Sequence, residues 1–164
     1  MSTRTINVDT LQLIDALQVR YIDALDGKKM PDWLATFGPD GQYVCKTAES
    51  EEAGWPMALI MDDNHGRLVD RVKFVEKVWA GTFQDYQTRH FVQRIEVSPA
   101  DGEMYRVRSN FSIAFTRSDT GRTDVLAAGV YHDLVEIKGD QALFRSKKVL
   151  IDAPLLPHYI VYPL

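Results

Sequence analysis

The chain has 164 residues, a length that fills one domain and leaves too little for two independent cores. Hydrophobic residues at 45%, charged residues at 26% and aromatic residues at 10% exclude a disordered chain and predict a buried core. Nineteen Lys and Arg against 23 Asp and Glu give a formal charge of -4, which supplies no bulk positive field for nucleic acid.

The longest apolar runs, such as Met57 to Met61, are too short to cross a bilayer, and the polar opening Met1-Ser2-Thr3-Arg4-Thr5 lacks a signal-peptide stretch. A cytoplasmic protein without membrane contact is expected. Cys45 is the only cysteine, which excludes an internal disulfide and any cluster or zinc site needing two thiolates from one chain. His65, His90, His132 and His158 are scattered, with no pair at i, i+4, so no metal site of the chain's own is expected.

In chain order, Asp9 followed by Gln12 predicts a capped helix start, and Ile14, Leu17, Tyr21 and Leu25 continue at helical spacing to Gly27. Pro31, Trp33, Leu34 and Phe37 predict a second, short helix ended by a turn at Gly38-Pro39-Asp40-Gly41. Residues 42–46 read as a strand, 47–56 as a polar loop with Glu49, Glu51 and Glu52 solvated, and 57–61 as another short strand. Asp63 or Asn64 can cap a third helix reaching about Thr82, with Leu68, Val72, Val75 and Trp79 on its apolar stripe.

Beyond it the period changes from helical to two. Tyr105, Val107, Phe111, Ile113 and Phe115 alternate with Arg106, Arg108, Asn110, Ser112 and Thr116. Turn signals at Pro99-Ala100-Asp101-Gly102, Ser118-Asp119-Thr120-Gly121 and Gly139-Asp140 divide four strands at about 88–98, 104–117, 123–137 and 142–152. Helices first and strands last define an α+β fold: three N-terminal helices on one face of a strongly curved, mainly antiparallel sheet. Residues 1–164 read as a single domain whose cone either holds a small ligand or is filled by side chains.

Few residues carry chemistry. His90 can act as a base inside the cone if a carboxylate such as Asp62 or Asp133 stands beside it; the bland alternative is a hydrogen-bonded structural histidine. His132 and Asp133 are neighbours on a strand and face opposite ways, so they form no dyad. Asp62-Asp63-Asn64-His65 reads as a helix cap, and Cys45 as a buried thiol without an activating base. Arg106 and Arg108 fit a solvated face, a grip on an acidic substrate or, preferred here, salt bridges at a subunit interface.

The end of the chain, about 153–164, is apolar and proline-rich, and exposed it would form a sticky patch. It is expected to pack on the chain's own sheet or on a neighbouring subunit. Leu155, Tyr159 and Tyr162 are therefore interface candidates, and truncation after Pro154 is expected to weaken assembly without abolishing the fold.

Four ordered motifs carry a resemblance over almost the whole chain: Arg89-His90-Phe91-Val92, Val107-Arg108-Ser109-Asn110-Phe111, Ala128-Gly129-Val130-Tyr131-His132-Asp133 and Lys147-Lys148-Val149-Leu150-Ile151-Asp152. Together they resemble the small, or beta, subunit of aromatic-ring-hydroxylating dioxygenases, with a flavour of the benzoate, anthranilate and terephthalate group. Gln93-Arg94 and Leu143-Phe144 depart from the family pattern and leave the subgroup, and so the aromatic acid, open.

The resemblance implies a cystatin-like cone of the nuclear-transport-factor and ketosteroid-isomerase type that trimerises and binds three large (alpha) subunits as α3β3. It implies a Rieske [2Fe-2S] cluster and a mononuclear Fe(II) on the large subunit, with electrons from NADH through a reductase, and no catalytic, cofactor or metal residue on this chain. The cysteine arithmetic agrees, since a Rieske centre takes two cysteines and two histidines. The competing reading is a stand-alone dehydratase or isomerase on the same cone with Tyr43, Asp62 and His90 as acid-base groups; it requires an open pocket with a perturbed acid-base pair. A third reading, a ligand-binding module, requires a cavity and no oligomer.

Overall fold

The computed structural model describes residues 6–164. Helix α1 (Val8–Asp26) is capped by Asn7, whose side chain accepts from the Thr10 amide, so the cap lies two residues before the expected Asp9. Its apolar stripe, Ile14, Leu17, Tyr21, Ala24 and Leu25, is buried, as the spacing predicts. Helix α2 (Met30–Leu34) carries Pro31 in its first turn and buries Trp33. Phe37 lies outside that helix. It opens strand β1 (Phe37–Thr47), so the expected turn at Gly38–Gly41 is instead a register irregularity inside a longer strand.

The expected loop contains helix α3 (Ala48–Glu52), started by Thr47, whose side chain accepts from the Ser50 amide. This adds a fourth short helix to the expected three. Strand β2 (Ile60–Asp62) starts later than predicted, and helix α4 (His65–Lys73) starts at the Asn64 cap, as predicted. It then widens into a π-helical segment (Phe74–Trp79) short of Thr82. Strands β3 (Tyr86–Pro99), β4 (Met104–Arg117), β5 (Thr123–Lys138) and β6 (Gln141–Ile151) match the expected four within a few residues.

The six strands form one sheet in the order β2-β1-β6-β5-β4-β3. Strands β3 to β6 are the expected antiparallel meander, β2 pairs antiparallel with β1, and β1 lies parallel to β6. A register interruption falls in each long pairing: Arg94/Glu96, Ile113/Ala114, Leu134/Val135 and Phe37/Gln42. Interruptions of this kind are where strands bend and gain twist. Helix α1 packs on β3, β5 and β6, and α4 packs on β1, β2 and α2.

Alternation sorts the sheet into two faces. Tyr105, Val107, Ser109, Phe111, Ile113 and Phe115 are buried towards the helices, while Arg106 and Asn110 are exposed on the other side. The apolar residues of the helices and of the inner face form one core, with Trp33, Tyr21, Tyr43, Tyr131 and Phe144 its largest buried side chains.

Candidate functional site

The interior of the fold is filled by aromatic rings around one ion pair. Phe111 and Tyr131 stack at 4.3 Å between centroids, and Tyr21 meets Tyr131 and Phe144 edge-on at 6.2 and 5.5 Å. Lys147, brought inward from β6, donates to Asp133 of β5 at 2.9 and 3.1 Å and to the Gln18 side chain at 3.3 Å. Its ammonium also sits over the rings of Tyr131, Tyr21 and Phe144 at 3.9 to 4.4 Å. Both side chains are sealed, at 0% and 1% exposure.

Burial pushes Asp133 up and Lys147 down, and their mutual attraction opposes both shifts. Burial likewise raises the phenols of Tyr21, Tyr43 and Tyr131, leaving them neutral. This centre is a structural polar knot, closed to solvent, in which each charge exists because the other is in place.

The end of the chain closes over the same region. Val161 and Leu164 are buried, and the Leu164 main-chain oxygen accepts from Tyr21 at 2.6 Å and Tyr43 at 3.2 Å. The Leu164 amide donates back to Tyr43 at 2.9 Å, and that of Val161 to Tyr86 at 3.1 Å. The tail thus packs on its own chain, one of the two outcomes expected. Since its last residues belong to the core, truncation after Pro154 threatens the fold itself, contrary to the expectation that only assembly would suffer. Leu155 and Tyr159 remain 83% and 49% exposed, and Tyr162 is half-buried against Phe83 and Tyr86.

Tyr43, Asp62 and His90 are each engaged elsewhere. The Tyr43 hydroxyl is held by Leu164, and Asp62 is clasped by Arg71 of α4 at 2.9 and 3.2 Å. His90 pairs with neither Asp62 nor Asp133. Its Nδ1 lies 2.6 Å from Asp26, the last residue of α1, which also accepts from the His90 amide and from Thr88. The length of α1 sets this pairing, because its C-terminal turn lands over β3. Burial works to raise the Asp26 carboxyl, but the bonds from His90 and Thr88 outweigh it and hold it below its ordinary value.

An oriented imidazole beside a carboxylate is base-like chemistry, yet the His90 side chain is only 1% exposed and cannot meet a substrate without opening the core. Nor do the donors suit a Rieske cluster: Cys45 is a free, buried thiol pushed up to about 12 by burial. Among the described residues, no three His, Cys, Asp or Glu side chains gather as metal ligands.

The accessible chemistry lies on the outer face of the sheet. Glu96, Arg108, His132 and Lys148 stand directly opposite one another across β3, β4, β5 and β6, and Arg106 lies beside them in the adjacent row between Ser98 and Leu134. They line a concavity of about 510 Å³. Arg108 reaches Glu96 at 3.3 Å, and Lys148 pairs with Glu51, which also holds Lys46. Glu51 is thus not the solvated residue expected, and its bond from Lys148 holds its carboxyl below the ordinary value. Half-buried Val44, Val130, Leu134 and Leu150 surround the cations.

A sealed aromatic interior thus lies under the helices, and the open, charged chemistry lies on the other side of the sheet. Residues 20–158 match the family described as "Ring hydroxylating beta subunit", and the chain belongs to it. The anthranilate 1,2-dioxygenase small subunit of Burkholderia cepacia is 29% identical over 165 residues, covering 100% of both chains.

Two crystal structures align closely. The beta subunit of a putative aromatic-ring-hydroxylating dioxygenase from Novosphingobium aromaticivorans has a TM-score of 0.80 at 24% identity, covering 92% of this chain and 94% of that one. The beta subunit of the benzoate 1,2-dioxygenase from Burkholderia mallei has a TM-score of 0.71 at 25% identity, covering 91% and 93%. This chain is thus a dioxygenase beta subunit with the cystatin-like α+β fold that its four motifs implied.

The motif reading missed three partners of the interior. Asp26, Lys147 and Leu164 meet residues 64, 14 and 121 positions away (His90, Asp133 and Tyr43), and no local pattern encodes such distances. One signal was available: Asp133 and Lys147 both fall at inward positions of the period-two pattern, where a lone charge is untenable.

Proposed function

We propose that this chain is the organising, non-catalytic subunit of an aromatic-ring-hydroxylating dioxygenase, trimerising and holding three large subunits as α3β3 in the cytoplasm. In this reading the large subunit carries the Rieske [2Fe-2S] cluster and the mononuclear Fe(II), and electrons arrive from NADH through a reductase. The observation that carries it is the contrast between an interior sealed by the Leu164 main chain and an outer sheet face left open and charged. An isomerase or dehydratase on this fold needs the opposite, an open lumen with a free acid-base pair.

The names of the relatives, anthranilate and benzoate dioxygenases, point to an aromatic carboxylic acid as the substrate of the complex. Arg106 and Arg108 on the sheet, with Leu155, Tyr159 and Tyr162 on the tail, are the proposed contacts to neighbouring subunits, pairing cations with exposed apolar groups as interfaces do. No helix is long and apolar enough to cross a membrane.

The test is a tagged pull-down of the chain from its own cells, with iron analysis and a visible absorption spectrum. A brown, iron-containing partner in equal amount, active on aromatic acids with NADH and O2, is the expected result. A chain that arrives alone and colourless overturns the reading.

A further inference from the structure

The outer sheet face carries a charge imbalance that the single chain does not resolve. Arg108, His132 and Lys148 are direct cross-strand neighbours on β4, β5 and β6, which brings two permanent cations into one row with no carboxylate between them. Of the carboxylates at the two ends of this row, Glu51 is shared between Lys46 and Lys148, while Glu96 reaches Arg108 only at 3.3 Å. Arg106, exposed in the adjacent row, makes no ion pair among the described residues. The concavity therefore gathers three permanent cations, Arg106, Arg108 and Lys148, against two lining carboxylates, Glu96 and Asp133, the second of which is committed to Lys147 inside the fold, on a chain whose net charge is -4.

The compensating acids sit close by on another surface. The hairpin joining β3 to β4 presents Asp101 and Glu103, both exposed and without an ion pair among the described residues. It begins within a few residues of Ser98 and Arg106, which line the groove. A basic concavity and an acidic projection at the same end of one sheet are complementary between copies related by rotation. Repeating that head-to-tail contact closes a ring.

We propose that the groove lined by Arg106, Arg108, His132 and Lys148 is the docking site for a second copy of this chain, which inserts the Asp101 and Glu103 carboxylates of its β3–β4 hairpin. This rests on the assembly reading above and deepens it by naming the two surfaces that meet. The half-buried Val44, Val130, Leu134 and Leu150 around the groove supply the apolar part of the contact.

Sedimentation of the full chain at low and high salt tests the proposal, with three charge-reversed forms beside the wild type. These are Arg106→Glu with Arg108→Glu, Asp101→Lys with Glu103→Lys, and all four together; every site is outside the core, and thermal unfolding confirms that each form folds. The wild type assembles and salt weakens it. Each single-surface reversal lowers the association constant by at least about tenfold, and the fourfold form recovers most of that loss.

Reversed forms that assemble like the wild type overturn the groove as a self-docking site and leave it to another subunit's carboxylates. A fourfold form that fails to recover overturns the hairpin as the inserted element. A wild type that stays monomeric at every concentration is a different failure, since it removes the trimeric reading together with this one.

Discussion

The two faces of the sheet follow opposite rules although they are built from the same strands. On the inner side the charges have partners within the chain: Lys147 on Asp133, Asp26 on the His90 ring and amide, Asp62 on Arg71. On the outer face Arg106 has no ion-pair partner among the described residues, and Arg108 is held loosely. Position decides this. Leaving a charge unpaired inside costs several kcal/mol, whereas water screens it outside at almost no cost. The face that tolerates imbalance is the one free to serve another chain.

The sharpest way to break the comparison is to unbalance the inner face. Lys147→Met strands Asp133 among rings and is expected to cost about 3–5 kcal/mol in chemical unfolding; adding Asp133→Leu should return much of that. A single variant as stable as the wild type would show that the pair does not hold the core. Leu164→Ala is next, with an expected loss of about 2–5 kcal/mol from the emptied space. Stability left unchanged by Leu164→Ala would detach the tail from the core.

Asp26→Asn acts through pH. Its carboxyl is held below the ordinary 3.8, so its charged form supplies stability that is present above about pH 4 and is lost as pH falls through the folded value. The wild type should therefore lose stability across that acid window, and the Asn variant should start lower, by about 1–3 kcal/mol, with a shallower acid slope. Parallel acid curves for the two proteins would place the titrating group elsewhere.

Much of this division was readable in advance, and the reason is periodicity. The alternation of Tyr105, Val107, Phe111, Ile113 and Phe115 with Arg106 and Arg108 assigned the two faces before any coordinates, because a strand turns each residue by half a revolution. The four motifs led to the family. The structure gives one of them a cause, since a Cβ on Gly129 would lie 1.9 Å from the Leu150 carbonyl oxygen, so no larger residue fits between β5 and β6.

What periodicity cannot carry is distance along the chain. The Asp26–His90 pair depends on where α1 stops, and the Gly38–Gly41 segment reads as a turn until β6 recruits it into β1. The outer groove required the register: Arg108, His132 and Lys148 become neighbours only once three strands are aligned.

The smallest expected effect probes the outer face alone. Arg108 and Glu96 meet at 3.3 Å with their side chains 41% and 60% exposed, a geometry in which solvent screening and side-chain entropy offset most of the attraction. Arg108→Ala should therefore move the unfolding free energy of the isolated chain by no more than about 0.5 kcal/mol in either direction. A loss as large as that from Leu164→Ala would mean that the outer row is built into the fold, and the two faces would then follow one rule.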